Sequence, residues 1–119
     1  MREERGQIPG GVVVYEPFTL WGSVGGDVKV IDGGKFYLRG SVYGNLIVEA
    51  GGRVHIYGSV QGDVTVHEDA KLIHSGVIGG DAINEGGRIY VEAESRIAGK
   101  IRTRSGETKV SSKYKPGAE

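Results

Sequence analysis

Residues 22–30 read GSVGGDVKV, residues 40–48 read GSVYGNLIV and residues 58–66 read GSVQGDVTV, three versions of one phrase recurring at a period of eighteen. A fourth version, GVIGGDAIN, occupies 76–84, and a fainter fifth, SRIAGKIRT, runs from Ser95 to Thr103. Self-similarity at a fixed period is the mark of a stacked repeat, whose units bury their apolar faces only against their neighbours. Aligned, the copies give apolar columns: Val24, Val42, Val60, Ile78 and Ile97; Val28, Leu46, Val64, Ala82 and Ile101; Val12, Val30, Val48 and Val66; Phe18, Phe36, Val54 and Leu72; Leu20, Leu38 and Ile56. One residue is missing near Gly86 and two are in excess near Glu94, so Ile89 and Val91 continue the last two columns.

Within each copy the apolar residues alternate, as strands with one buried face require, and no stretch sustains a 3.6-residue period. The chain of 119 residues holds 22 Gly and 3 Pro. That much glycine is unsuited to helices, where each interior Gly costs about 1 kcal/mol relative to Ala. It suits corners, where positive backbone angles are needed. The expected fold is all-β: a short single-stranded β-helix, or solenoid, of about five triangular rungs, each one period long, spanning 12–103. A charged tail (1–11) precedes it and a basic polar tail (104–119) follows, with Val110 and Tyr114 as its apolar anchors. The end rungs of such a coil expose strand edges and apolar cross-sections. Self-association by end stacking is therefore expected, through Val12, Phe18 and Leu20 at one end and Ile97 and Ile101 at the other.

Other classes are excluded or disfavoured by composition. Fifteen basic and fifteen acidic residues leave no net charge to drive general affinity for nucleic acid, and no specific nucleic-acid partner is expected. Without cysteine there is no disulfide scaffold, thiolate metal site or cysteine nucleophile. The longest apolar stretch, from Val12 to Tyr15, is far too short to span a membrane, so a soluble cytoplasmic protein without a transmembrane segment is expected.

The recurring G-S-V-x-G-D/N-V-x-V, followed by GG-R/K-apolar-x-apolar as in GGKFYL (33–38), GGRVHI (51–56) and GGRIYV (86–91), resembles the bactofilins, polymer-forming cytoskeletal proteins of bacteria. The resemblance covers about three quarters of the chain. It implies a right-handed β-helix that joins end to end into nucleotide-independent, nonpolar filaments, needs no cofactor, and presents cell-wall or membrane-associated protein clients at the inner face of the membrane. The chain differs from many members in lacking an apolar start, since residues 1–11 read MREERGQIPGG, and in having no Phe between Arg96 and Thr103.

Two further classes share the arithmetic. Eighteen is three times six, and apolar residues recur every sixth position from Val12 to Ile78, a pattern similar to the left-handed hexapeptide coil of acyltransferases and gamma-class carbonic anhydrases. The pattern leaves both hands open. Against an enzyme, His55 and His67 lie two thirds of a rung apart, on different faces, and His74 falls in the inward column of Leu20, Leu38 and Ile56, so the three do not converge on a metal. Asn84 also replaces an inward valine and is a candidate partner for His74, as is a water. The other class is a non-polymerising module that binds a protein or polysaccharide through a surface ladder. Lys35, Arg53, Lys71 and Arg88 share one column, with charges about 5 Å apart, inside a Debye length of about 8 Å. They would either act together on an anionic polymer or pair with acidic neighbours such as Glu49, Glu68, Asp69 and Glu85. Asp27, Asn45, Asp63 and Asp81 form a second ladder, expected to cap backbone, and Trp21, Arg39, Tyr57 and Ser75 a third, with Arg39 set to stack between aromatics. Residues 102–119 carry five basic and two acidic groups, a candidate attachment arm.

Overall fold

The computed structural model describes residues 2–114. The first turn is β1 (Arg2–Glu4), β2 (Gln7–Ile8) and β3 (Val12–Val14). The second is β4 (Pro17–Leu20), β5 (Ser23–Val24) and β6 (Val28–Val30), and the third β7 (Lys35–Leu38), β8 (Ser41–Val42) and β9 (Leu46–Val48). The fourth is β10 (Arg53–Ile56), β11 (Ser59–Val60) and β12 (Val64–Val66). The fifth comprises β13 (Lys71–His74), β14 (Val77–Ile78) and the first half of β15 (Ala82–Val91); the second half of β15 opens a sixth, continued by β16 (Arg96–Ile97) and β17 (Ile101–Val110). Every pairing is parallel and joins one turn to the next, which makes a β-solenoid with three faces.

The coil has six turns rather than five, because the expected tails contribute to it. β1 pairs with β4 and β2 with β5, while β17 runs alongside all of β15. Met1 and residues 115–119, the rest of those tails, lie outside the described residues. The first turn is also shorter. Arg2 pairs with Phe18 and Val12 with Val28, an offset of 16, so Val14 rather than Val12 stacks on Val30. Val14 is buried and Val12 only half-buried.

The core is a column. Phe18, Phe36, Val54, Leu72 and Ile89 stack on the first face, Val24, Val42, Val60, Ile78 and Ile97 on the second, and Val28, Leu46, Val64 and Ala82 on the third, all at most 4% exposed. Each buried Val, Leu, Ile or Phe of this kind contributes about 1.5–3 kcal/mol over exposure, and close neighbours above and below leave no room for volume change.

The glycine period has a physical basis other than the expected one. Among the corner glycines only Gly33 and Gly51 of the regular turns have positive φ (87° and 82°), and Asp69 occupies the equivalent corner at φ 65°. Gly22, Gly40, Gly58 and Gly76 do not. At Gly40 a Cβ would collide with the carbonyl of Gly22, at Gly58 with that of Gly40, and at Gly76 with that of Gly58. These residues are glycine because successive backbones nearly touch there.

The G-D/N pair is a lock between turns. Asp27 Oδ1 accepts the N–H of Asn45, Asn45 Oδ1 that of Asp63, Asp63 Oδ1 that of Asp81 and Asp81 Oδ1 that of Lys100, each at 2.8 Å. A Cβ at Gly44, Gly62, Gly80 or Gly99 would occupy the space of the carboxylate or amide oxygen from the turn before. The glycine makes room for the side chain that stitches the next turn in place.

Candidate functional site

Two parts of the coil present unsatisfied chemistry: its ends and its first face. At the N-terminal end the inward columns above Phe18 and Leu20 carry Arg2 and Glu4. The Arg2 guanidinium lies 4.8 Å from the centre of the Phe18 ring and 3.8 Å from Glu16. Phe18 (1% exposed) and Leu20 (0%) thus sit one turn inside the end where the sequence placed them, roofed by β1. Ile8 and Val12, packed against the core, remain half-exposed in the first turn, and Val13 is 50% exposed. At the C-terminal end Ile97 is 3% exposed, Ile101 is half-buried, Val110 is 45% exposed, and Tyr114 packs on the core. Among the described residues no strand pairs beyond β1, β2 and β3 at one end or beyond β16 and β17 at the other.

On the first face the register places Lys35, Arg53, Lys71 and Arg88 in one outward column, bounded by Pro17 before it and Glu107 after it. None of the four makes an ion pair among the described residues; the expected neighbour Glu85 pairs instead with Arg104, at 3.2 Å. Like charges on adjacent strands repel. Beside this column runs a second, Tyr37, His55, Ile73 and Tyr90, unremarked in the sequence although it stands in the same alignment two positions on. Over three turns, from Lys35 to Lys71 and from Tyr37 to Ile73, the two columns border a cleft of about 210 Å³. On the other flank of the basic column the surface is acidic, with Asp32, Glu68 and Asp69.

A third column completes the face. Arg39 lies 5.2 Å from the ring centre of Trp21 and 4.2 Å from that of Tyr57, and Arg5 lies 5.0 Å from Trp21, so the expected cation–aromatic stack is present and one residue longer. The His55 ring stacks on Tyr57 with centroids 3.9 Å apart, and its Nε2 meets Ser75 Oγ at 3.3 Å. Burial holds the His55 imidazole below its usual pKa, with Glu92 opposing and Arg39 adding to the effect.

His74 and Asn84 do not pair. His74, fully buried, donates Nε2–H to the Arg96 carbonyl at 2.9 Å, leaving Nδ1 a bare acceptor with no partner among the described residues. Burial pushes its pKa down, partly offset by that hydrogen bond. Asn84 repairs the corner where a residue is missing. Its Oδ1 accepts the N–H groups of Gly86 (3.0 Å) and Gly87 (2.8 Å), and its Nδ2 donates to the carbonyls of Gly87 and Glu107 and to Thr108 Oγ1. The Asx ladder serves as inter-turn stitching, and at its end the Lys100 N–H and the Arg102 side chain hold the Asp81 carboxyl below its usual range. Arg102 and Arg104, from the candidate attachment arm, are tied to Asp81 and Glu85 on the coil, and Lys115 lies outside the described residues. Among the described residues no group of three or more His, Asp or Glu is placed to hold a metal ion, and no helix is long and apolar enough to cross a membrane. No protein-family model matches the chain, and neither curated proteins nor solved structures yield a match.

Proposed function

We propose that this coil is the subunit of a bactofilin-like scaffold that associates through its two end turns, without catalysis. The observation that carries this reading is the pair of open ends: strand edges unpaired among the described residues at each, with half-exposed Ile8 and Val12 at one and Ile101 and Val110 at the other. Unpaired edges of this kind are templates for another chain. Three of the columns also begin and end compatibly. The column that opens with Ile8 closes with Ile97, the one that opens with Val12 closes with Ile101, and the one that opens with Glu3 closes with Lys109. In these three columns a second copy stacked head to tail meets apolar residues with apolar and opposite charges with each other, whereas the column that opens with Glu4 closes with Val110.

Substitutions for the test belong at half-exposed positions, since Lys at Phe18 would break the core instead. Val12→Lys and Ile101→Lys, made singly and together, are to be sized by sedimentation velocity. If the ends join head to tail, each single variant is a monomer; if like ends join, each single variant stops at a dimer and the double variant is a monomer. An unchanged size distribution in the double variant overturns end stacking.

A further inference from the structure

We propose that the first face of the coil binds a linear acidic polysaccharide laid along the coil axis in the cleft between the basic and aromatic columns, a role separate from end association. Three observations converge on that class of ligand.

The first is the unbalanced charge. Lys35, Arg53, Lys71 and Arg88 are stacked at the inter-strand spacing of about 4.8 Å without an acidic partner among the described residues; Lys29, Arg39, Arg96, Lys100 and Lys113 also lack an ion pair there, and what sets the four apart is that they stand in one unbroken column. A polymer with a charged group on successive units neutralises all four at once, and the guanidinium of Arg53 suits a carboxylate, which it can hold through two parallel hydrogen bonds.

The second is direction. Asp32, Glu68 and Asp69 line the far flank of the basic column, so a polyanion is repelled there and directed to the side where Tyr37, His55 and Ile73 form the opposite wall of the cleft. Pro17 and Glu107 close the column at its two ends, which limits the footprint to four turns.

The third separates a glycan from a nucleic acid. Single-stranded nucleic acids bind such surfaces by stacking bases on open aromatic faces. Here most of the faces are taken: Tyr57 lies between His55 and Arg39, Trp21 between Arg5 and Arg39, and Lys71 Nζ sits 5.5 Å from the ring centre of Tyr90, which leaves Tyr37 as a single uncovered ring in the cleft wall and no series of rings for successive bases. What the wall offers is polar groups, among them the phenol hydroxyl of Tyr37, which can hydrogen-bond to polyols.

The test is calorimetric titration of the full chain with a galacturonic-acid oligosaccharide of about eight units, its neutral methyl ester, and an oligothymidylate of similar charge. The expected result is binding of the acidic glycan that weakens as salt is raised from about 50 to about 200 mM, no binding of the ester, and weaker binding of the oligothymidylate. Arg53→Gln with Lys71→Gln is expected to weaken binding of the acidic glycan about tenfold with an unchanged unfolding midpoint, while Arg102→Gln, outside the cleft, leaves it unchanged. Absence of binding, tighter binding of the oligothymidylate, or equal loss in Arg102→Gln would overturn the proposal.

Discussion

From β4 to β12 every strand stacks on its counterpart exactly one period along, Phe18 on Phe36 and Phe36 on Val54, whereas beyond β13 the offset varies: Lys71 pairs with Arg88 at 17, Val77 with Arg96 at 19 and Glu85 with Ser105 at 20. The regular turns are held by elements that repeat. Their inward columns are apolar throughout, their corners close on glycine except at Asp69, and each is stitched to the next by one Asx side chain. In the later turns two inward positions are polar, and single side chains do what the repeat no longer does. Asn84 alone makes five hydrogen bonds around the shortened corner. The difference teaches that a solenoid tolerates a change of turn length where one side chain can satisfy the backbone groups the change sets free.

The largest effect should come from striking the regular part. Gly58→Ala drives a Cβ into the Gly40 carbonyl, and chemical denaturation should register a loss of roughly 4 kcal/mol or failure to fold. Gly25→Ala, whose Cβ would meet nothing nearer than 3.6 Å, should change stability by less than about 0.5 kcal/mol. Equal effects at the two sites would show that close approach does not select the glycines.

Restoring the repeat at its exception should also destabilise. Asn84→Val returns an apolar residue to the column yet strips partners from the Gly86 and Gly87 N–H groups and from the Glu107 carbonyl, for an expected loss of about 3 kcal/mol in the same assay. A neutral outcome would mean that the irregular corner needs no dedicated side chain.

The smallest effect is a pH dependence. The unfolded chain takes up a proton at His74 near its ordinary pKa of 6.5, while the buried native imidazole resists it, so the unfolded state binds more protons below that pH. Stability should be flat with respect to this group above about pH 7 and fall as pH drops below 6.5, by at most about 1.4 kcal/mol per pH unit. His55, also lowered, adds in the same direction. Thermal melts of His74→Leu should show a shallower slope between about pH 5 and 6.5, whereas an identical slope would place the proton uptake elsewhere.

The repeating columns were legible because each turn between Val24 and Leu72 has neighbours on both sides, and its inward positions there are apolar. Arg2 and Glu4 escaped notice as strand residues for the opposite reason: an end turn has a neighbour on one side only, and a long charged side chain can lie over Phe18 with its head in water. The basic column was readable from spacing. That its members lack acidic partners among the described residues, and that the rings of Tyr57, Trp21 and Tyr90 are already covered, depends on side-chain conformations that spacing does not specify. Glycine spacing located the corners correctly while suggesting φ as the cause, because close approach and positive φ select the same residue.

The variation in turn length bears on how the chain finds its alignment. The middle turns are nearly interchangeable, and a strand pairing one period too far along would still meet valine with valine. Such a slip would leave one whole turn looped out with little local penalty to signal the error. The shortened corner at Asn84 and its partners Glu107 and Thr108 fit one frame only. They act as index marks, and the number of turns is encoded where the periodicity fails.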